Sequence, residues 1–118
     1  MDTYMRDQPT RTTGAEVAQE VIPREHLADG EWPTGTLSQD APLGAYLGQA
    51  IARTLMNAAS AQGLSSVRAL ARRAGVTHPT VKDILEGKRL PTTHTLLLLE
   101  AAVQTPLYPA DLFLQAKN

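Results

Sequence analysis

Two short apolar-periodic stretches meet at Gly75, and their spacing leaves this chain few ways to fold. The first runs Val67-Arg68-Ala69-Leu70-Ala71-Arg72-Arg73-Ala74. After Gly75 and Val76 the second runs Thr77-His78-Pro79-Thr80-Val81-Lys82-Asp83-Ile84-Leu85-Glu86. Val67, Leu70, Ala71 and Ala74 recur at three and four residues, and so do Val81, Ile84 and Leu85, which is the repeat of one helix face. Gly75 falls at the end of the first helix, where a left-handed backbone suits a residue without a Cβ. Ser65 or Ser66 caps the first helix and Thr77 the second, each by accepting from an otherwise unpaired amide. Pro79 lies in the first turn of its helix, where a missing amide hydrogen costs little. The pattern predicts two short helices meeting at a steep angle, with Ala71 as the small residue at their crossing.

The surrounding sequence supplies further helices. Tyr46, Leu47, Ala50, Ile51, Thr54, Leu55 and Ala58 predict a helix from about Leu43 to Ala61, ended by Gly63. Gly87 closes the helix that begins after Thr77. Another follows Pro91, with Thr92 or Thr93 as cap, and runs to about Val103. It contains Leu96-Leu97-Leu98-Leu99, and four consecutive leucines point all round a helix, so at least one faces out of the core. Either another part of the chain covers that residue or it forms a dimer surface. Pro106 and Pro109 break the chain before a short helix from Ala110 to Ala116, with Leu112 and Phe113 packing back. The expected fold class is all-α: a five-helix bundle preceded by a largely irregular N-terminal arm.

The arm, residues 1–41, and the folded part, residues 42–118, differ in composition as well as pattern. The arm carries eight acids and three Arg, a net of −5, whereas residues 63–95 carry six Lys or Arg against Asp83 and Glu86, a net of +4. That asymmetry suits a basic face that meets a polyanion beside an acidic tail. A short helix is expected in the arm from Ala15 to Val21, stopped by Pro23. Gly30, Pro33 and Gly35 punctuate the rest as turns, and Trp32 is expected to dock on the domain surface. Most of the arm is expected to be mobile when isolated. The chain has no Cys, so it holds no disulfide or thiolate metal site. No run approaches the roughly 18 apolar residues of a membrane helix. The first residues lack the apolar core of a signal peptide. A soluble, cytoplasmic protein is expected.

Two helices crossing at a steep angle let the second enter the major groove of DNA while the first supports it across the backbone. The crossing needs a small residue, the turn a glycine, and the second helix apolar anchors. Ala71, Gly75, Val81 and Ile84 meet those needs, and the four positions match the helix-turn-helix signature. From Leu70 to Thr77, through Thr80-Val81, to Glu86-Gly87-Lys88-Arg89-Leu90-Pro91, the chain resembles the Xre family, the Cro and phage-repressor type of helix-turn-helix. Thr95 to Ala102 resembles that family's fourth helix. The resemblance covers about residues 43–108.

It implies a five-helix domain that binds operator DNA as a homodimer. The reader would be the helix at about 78–86. Carried onto this chain, the base-edge candidates are His78, Pro79, Thr80 and Asp83, with Lys82 reaching a base or a phosphate. A His or Lys donor suits guanine acceptors, and the Pro79 ring and Thr80 methyl suit a thymine methyl. The phosphate candidates are Ser66, Arg68, Thr77, Lys88 and Arg89, with the amides that open the first helix of the pair. Glu86 and Pro79 depart from the family's pattern, the first by repelling phosphate and the second by removing an amide. Arg72 and Arg73 are expected to be solvated, Asp83 to pair with Lys82 or Arg89, and His94 to be exposed.

An enzyme is not expected. His26, His78 and His94 lack metal-ligand spacing, and the chain has neither a glycine-rich phosphate loop after a strand nor a Gly-x-Ser-x-Gly elbow. No cofactor is expected. The alternative reading is a protein-interaction module or an antitoxin-like repressor whose acidic arm binds a partner protein. In either reading the site of action is the cytoplasm, at the nucleoid for the DNA-binding one.

Overall fold

The computed structural model describes residues 20–116. Five α-helices dominate it: α1 (Leu43–Ala61), α2 (Val67–Ala74), α3 (His78–Leu85), α4 (Thr93–Val103) and α5 (Leu112–Ala116). Their bounds fall within two residues of those that periodicity and capping predict. The fold is the expected all-α class, with a small β element that the sequence did not announce.

Capping sets the ends of the short helices. Ser66 Oγ accepts from the Ala69 amide at 3.0 Å, and Thr77 Oγ1 accepts from that of Thr80 at 3.4 Å. Thr92 Oγ1 accepts from the Thr95 amide at 3.1 Å and so opens α4. Each side-chain oxygen satisfies one of the amides that a helix start leaves unpaired. Gly75 closes α2 at φ 74°, with its amide donating to the Ala71 carbonyl. At the end of α4 the left-handed position falls instead on Gln104, at φ 54°. Glu100 secures the turn that follows, its carboxylate accepting from the Leu107 and Tyr108 amides at 2.7 and 3.0 Å.

The core lies where α1, α2, α3 and α4 converge. Ile51 and Leu55 of α1 meet Leu70 and Ala71 of α2, Val81 and Ile84 of α3, and Leu99 and Val103 of α4. Leu107 closes one side. Full burial of a Val, Leu or Ile side chain contributes roughly 1.5–3 kcal/mol, so the seven such positions on α1, α2, α3 and α4 outweigh any surface interaction in holding the helices together. Leu99 is fully buried, whereas Leu97 is 60% exposed. The leucine run therefore does present one member outward, and nothing among the described residues covers it.

Residues 20–41 contain little helix, but they are tied to the domain. A 3-10 turn spans Pro23–His26, and strands β1 (Leu27–Asp29) and β2 (Thr36–Leu37) pair antiparallel with an irregularity between Leu27 and Asp29. Gln49 on α1 donates to the carbonyls of Pro33 and Gly35 at 2.9 and 2.7 Å, and the Tyr46 hydroxyl donates to that of Ser38. Pro23 is buried over Gly48, where a Cβ would come within 2.7 Å of its ring. The packing thus runs across the composition boundary at 41/42. The helix expected from Ala15 lies outside the described residues except at 20–21, which are not helical.

Candidate nucleic-acid interface

α3 has two faces. At 3.6 residues per turn, His78, Pro79, Lys82, Asp83 and Glu86 fall within an arc of roughly 140°, and Val81 and Ile84 point the opposite way. Val81 and Ile84 are buried, which fixes the arc outward. Pro79 and Lys82 are exposed, and His78 and Asp83 are half-buried. Thr80 lies beyond the edge of the arc, where its hydroxyl accepts a hydrogen bond from the Thr77 hydroxyl at 2.8 Å. The structure thus brings four of the five base-edge candidates together and sets Thr80 apart, beside the cap.

The phosphate candidates divide in the same way. Ser66 and Thr77 are exposed, but each has its side-chain oxygen engaged as a helix cap. Arg68 stands exposed in the first turn of α2, and Arg89 in the loop after α3, without an ion pair. Lys88 is different. Its ammonium lies 3.2 Å from one carboxylate oxygen of Glu86, and the Lys82 ammonium lies 3.1 Å from the other. These are the ion pairs of the described residues, and they place one acid between two cations at the end of the outward face of α3. Hydrogen bonds from Lys82 and then from Lys88 hold the Glu86 carboxyl below its ordinary pKa. Asp83, expected to pair with Lys82 or Arg89, pairs with neither. Arg73 turns toward α4, with a guanidinium nitrogen 3.5 Å from the Ala102 carbonyl, while Arg72 and His94 are exposed.

Sequence reasoning missed the contact that finishes α3. The Trp32 indole Nε1–H donates to the Leu85 carbonyl at 2.9 Å. The ring lies over Gly87, where a Cβ would come within 2.6 Å of Cζ2. The Arg24 amide donates to the Gly87 carbonyl at 2.9 Å. The one available signal was a lone tryptophan in a turn-rich segment, which predicts docking but not the place.

No described residues form a group of three or more acids or histidines able to hold a metal ion. No described helix is long and apolar enough to cross a membrane.

Residues 57–108 match the family model described as helix-turn-helix, a span that runs from the end of α1 through α4. This segment is similar to helix-turn-helix domains of the Xre and Cro type. Within the matched span α2 and α3 are the two helices of the motif, joined by the turn at Gly75. The helix-turn-helix family is a DNA-binding regulatory family and not a family of enzymes. No curated protein and no solved structure matches the chain. The arm, α5 and the first 14 residues of α1 lie outside the matched span.

Proposed function

We propose that the protein is a sequence-specific transcriptional regulator in which α3 reads the major groove of a short, two-fold symmetric operator. One observation carries the reading: His78, Pro79, Lys82 and Asp83 share the face of α3 that the core leaves free. Donors and an apolar ring on one narrow face can distinguish base edges, while Arg68, Lys88 and Arg89 around it neutralise phosphate. Ser66 and Thr77 join that set as caps whose helix starts offer backbone amides to phosphate.

The proposed assembly is a homodimer. Leu43, Leu97, Tyr108 and Phe113 are each about half exposed or more, and they surround two adjoining apolar hollows of about 280 and 370 Å³ between α1, α4 and α5. An exposed apolar surface of this kind favours association. The proposed setting is the cytoplasm, at the nucleoid.

Binding-site selection with purified protein at a stated near-physiological salt tests the reading. A recovered two-fold motif, lost in the Lys82→Ala/Arg89→Ala double variant, is the expected result. Absence of enrichment, with only weak salt-sensitive binding, would reject it and leave α2 and α3 as a scaffold.

A further inference from the structure

We infer that Trp32 is a positioning residue for the reading helix, and that the β1–β2 hairpin is a strut that fixes the pose of α3 against DNA. The inference rests on α3 reading base edges.

An α-helix leaves its last four carbonyls without partners inside the helix. α3 has eight residues, so those four belong to half of it. The Lys82 carbonyl accepts from the Glu86 amide at 2.9 Å, that of Asp83 from Lys88 at 2.9 Å, and that of Ile84 from Gly87 at 3.2 Å. These three donors are local. The Leu85 carbonyl takes its donor, the Trp32 indole, from 53 positions away. The last carbonyl of the reader is therefore held by the arm.

The strut is itself braced at its far end. Gln49 on α1 holds the backbone on both sides of Thr34 by its bonds to Pro33 and Gly35. Pro23 sits on Gly48, and the Arg24 amide holds the Gly87 carbonyl. α1, the hairpin, the indole and the end of α3 thus form one continuous chain of contacts. It meets α3 where the reader gives way to Lys88 and Arg89, the cations proposed to touch phosphate. No hydrogen bond or ion pair among the described residues joins residues 20–41 to residues 78–84. The hairpin acts on the end of the reader and leaves its base-facing arc open.

Phosphate contacts tolerate small shifts because long cationic side chains follow them, whereas base-edge hydrogen bonds need a pose held within about 0.5 Å and 10–20°. Loosening this end of α3 therefore costs discrimination more than affinity. Trp32→Phe keeps a ring over Gly87 and removes the N–H donor. The measurement is the affinity of the full chain for its selected site and for a random duplex of the same length and salt. The expected result is a ratio of the two that falls about five- to tenfold, with random-duplex affinity held within about twofold. A ratio equal to that of the wild type, or a parallel fall in both affinities, would overturn the inference. Should Trp32→Phe not fold, 3-benzothienylalanine at position 32 keeps the shape of the indole without its donor and gives the same readout. If the wild type selects no site, the DNA-reading function fails and takes this inference with it. If the wild type selects a site and the variants discriminate equally well, only the positioning role fails.

Discussion

Lys82 on α3 and Glu86 at its C-cap, one turn apart, hold each other at 3.1 Å on the face turned away from the core. Lys88 joins the same carboxylate from the other side at 3.2 Å. In the proposed function, two of the cations at this surface, Lys82 and Lys88, therefore meet DNA partly neutralised. Glu86→Gln releases both. Random-duplex affinity rises, and the slope of log affinity against log salt steepens by about 1 to 2, near 0.9 for each lysine that engages a phosphate. Salt titrations of both proteins on one duplex check this; an unchanged slope means neither lysine reaches the backbone.

The same acid gives a pH signature. Its folded-state pKa lies below its ordinary value because Lys82 and then Lys88 hydrogen-bond the ionised form. A depressed pKa contributes stability above the unfolded-state value, and that contribution fades as pH falls through the folded-state value. Between pH 7 and about 5 the stability difference between wild type and Glu86→Gln stays constant, and it shrinks in more acid solution. Urea unfolding of both proteins from pH 7 down to about 3 makes the comparison.

Gly75 and Gly87 share a φ of 74° but not an environment. A Cβ at Gly75 meets nothing within 4 Å, whereas one at Gly87 runs into the Trp32 ring. Gly75→Ala costs about 1–2 kcal/mol, the left-handed penalty alone. Gly87→Ala costs a further 1–3 kcal/mol or so, as overpacking does. Thermal unfolding ranks the two, and equal costs would mean that the indole does not lie on Gly87.

Leu97 is 60% exposed beside the hollow under α4. Leu97→Glu places a charge on the proposed dimer surface without touching the core. Sedimentation equilibrium is expected to show a weaker dimer, with unfolding of the dilute monomer changed by no more than about 0.5 kcal/mol. A dimer of unchanged affinity locates the interface elsewhere.

His78 opens α3 and stands half-buried at one end of its outward arc. His78→Ala relaxes preference at one base pair by about 1–3 kcal/mol if the imidazole makes a full base-edge contact. Binding-site selection with the variant reads this directly. An unchanged motif removes His78 from the readers.

The helices were legible because their determinants are local. Ser66, Thr77 and Thr92 stand at helix starts with their partners three residues on, and Gly75 ends α2 by its own backbone. Val81 and Ile84 reveal their burial through spacing alone. The outward set on α3 followed, except that Thr80 proved to serve the cap. What stayed hidden depends on distant partners. The hairpin has strands of three and two residues, too short for alternation to register. Its hold on the domain comes from Gln49, Gly48 and Leu85, none of which marks itself as a neighbour of residues 23–35. Glu86 was visible as a departure from the family's pattern, but its grip on both Lys82 and Lys88 needed the turn after α3 to bring Lys88 back.

The indole over Gly87 also limits how this sequence can drift. While tryptophan occupies position 32, any side chain at position 87 collides with it, so the loop glycine is frozen twice over, by its φ and by its neighbour. A smaller residue at position 32 lowers the cost of a side chain at position 87. That smaller residue leaves the Leu85 carbonyl without its indole donor, and a return to tryptophan is costly for as long as position 87 carries a side chain. The two positions, far apart in the chain, therefore limit one another's substitutions.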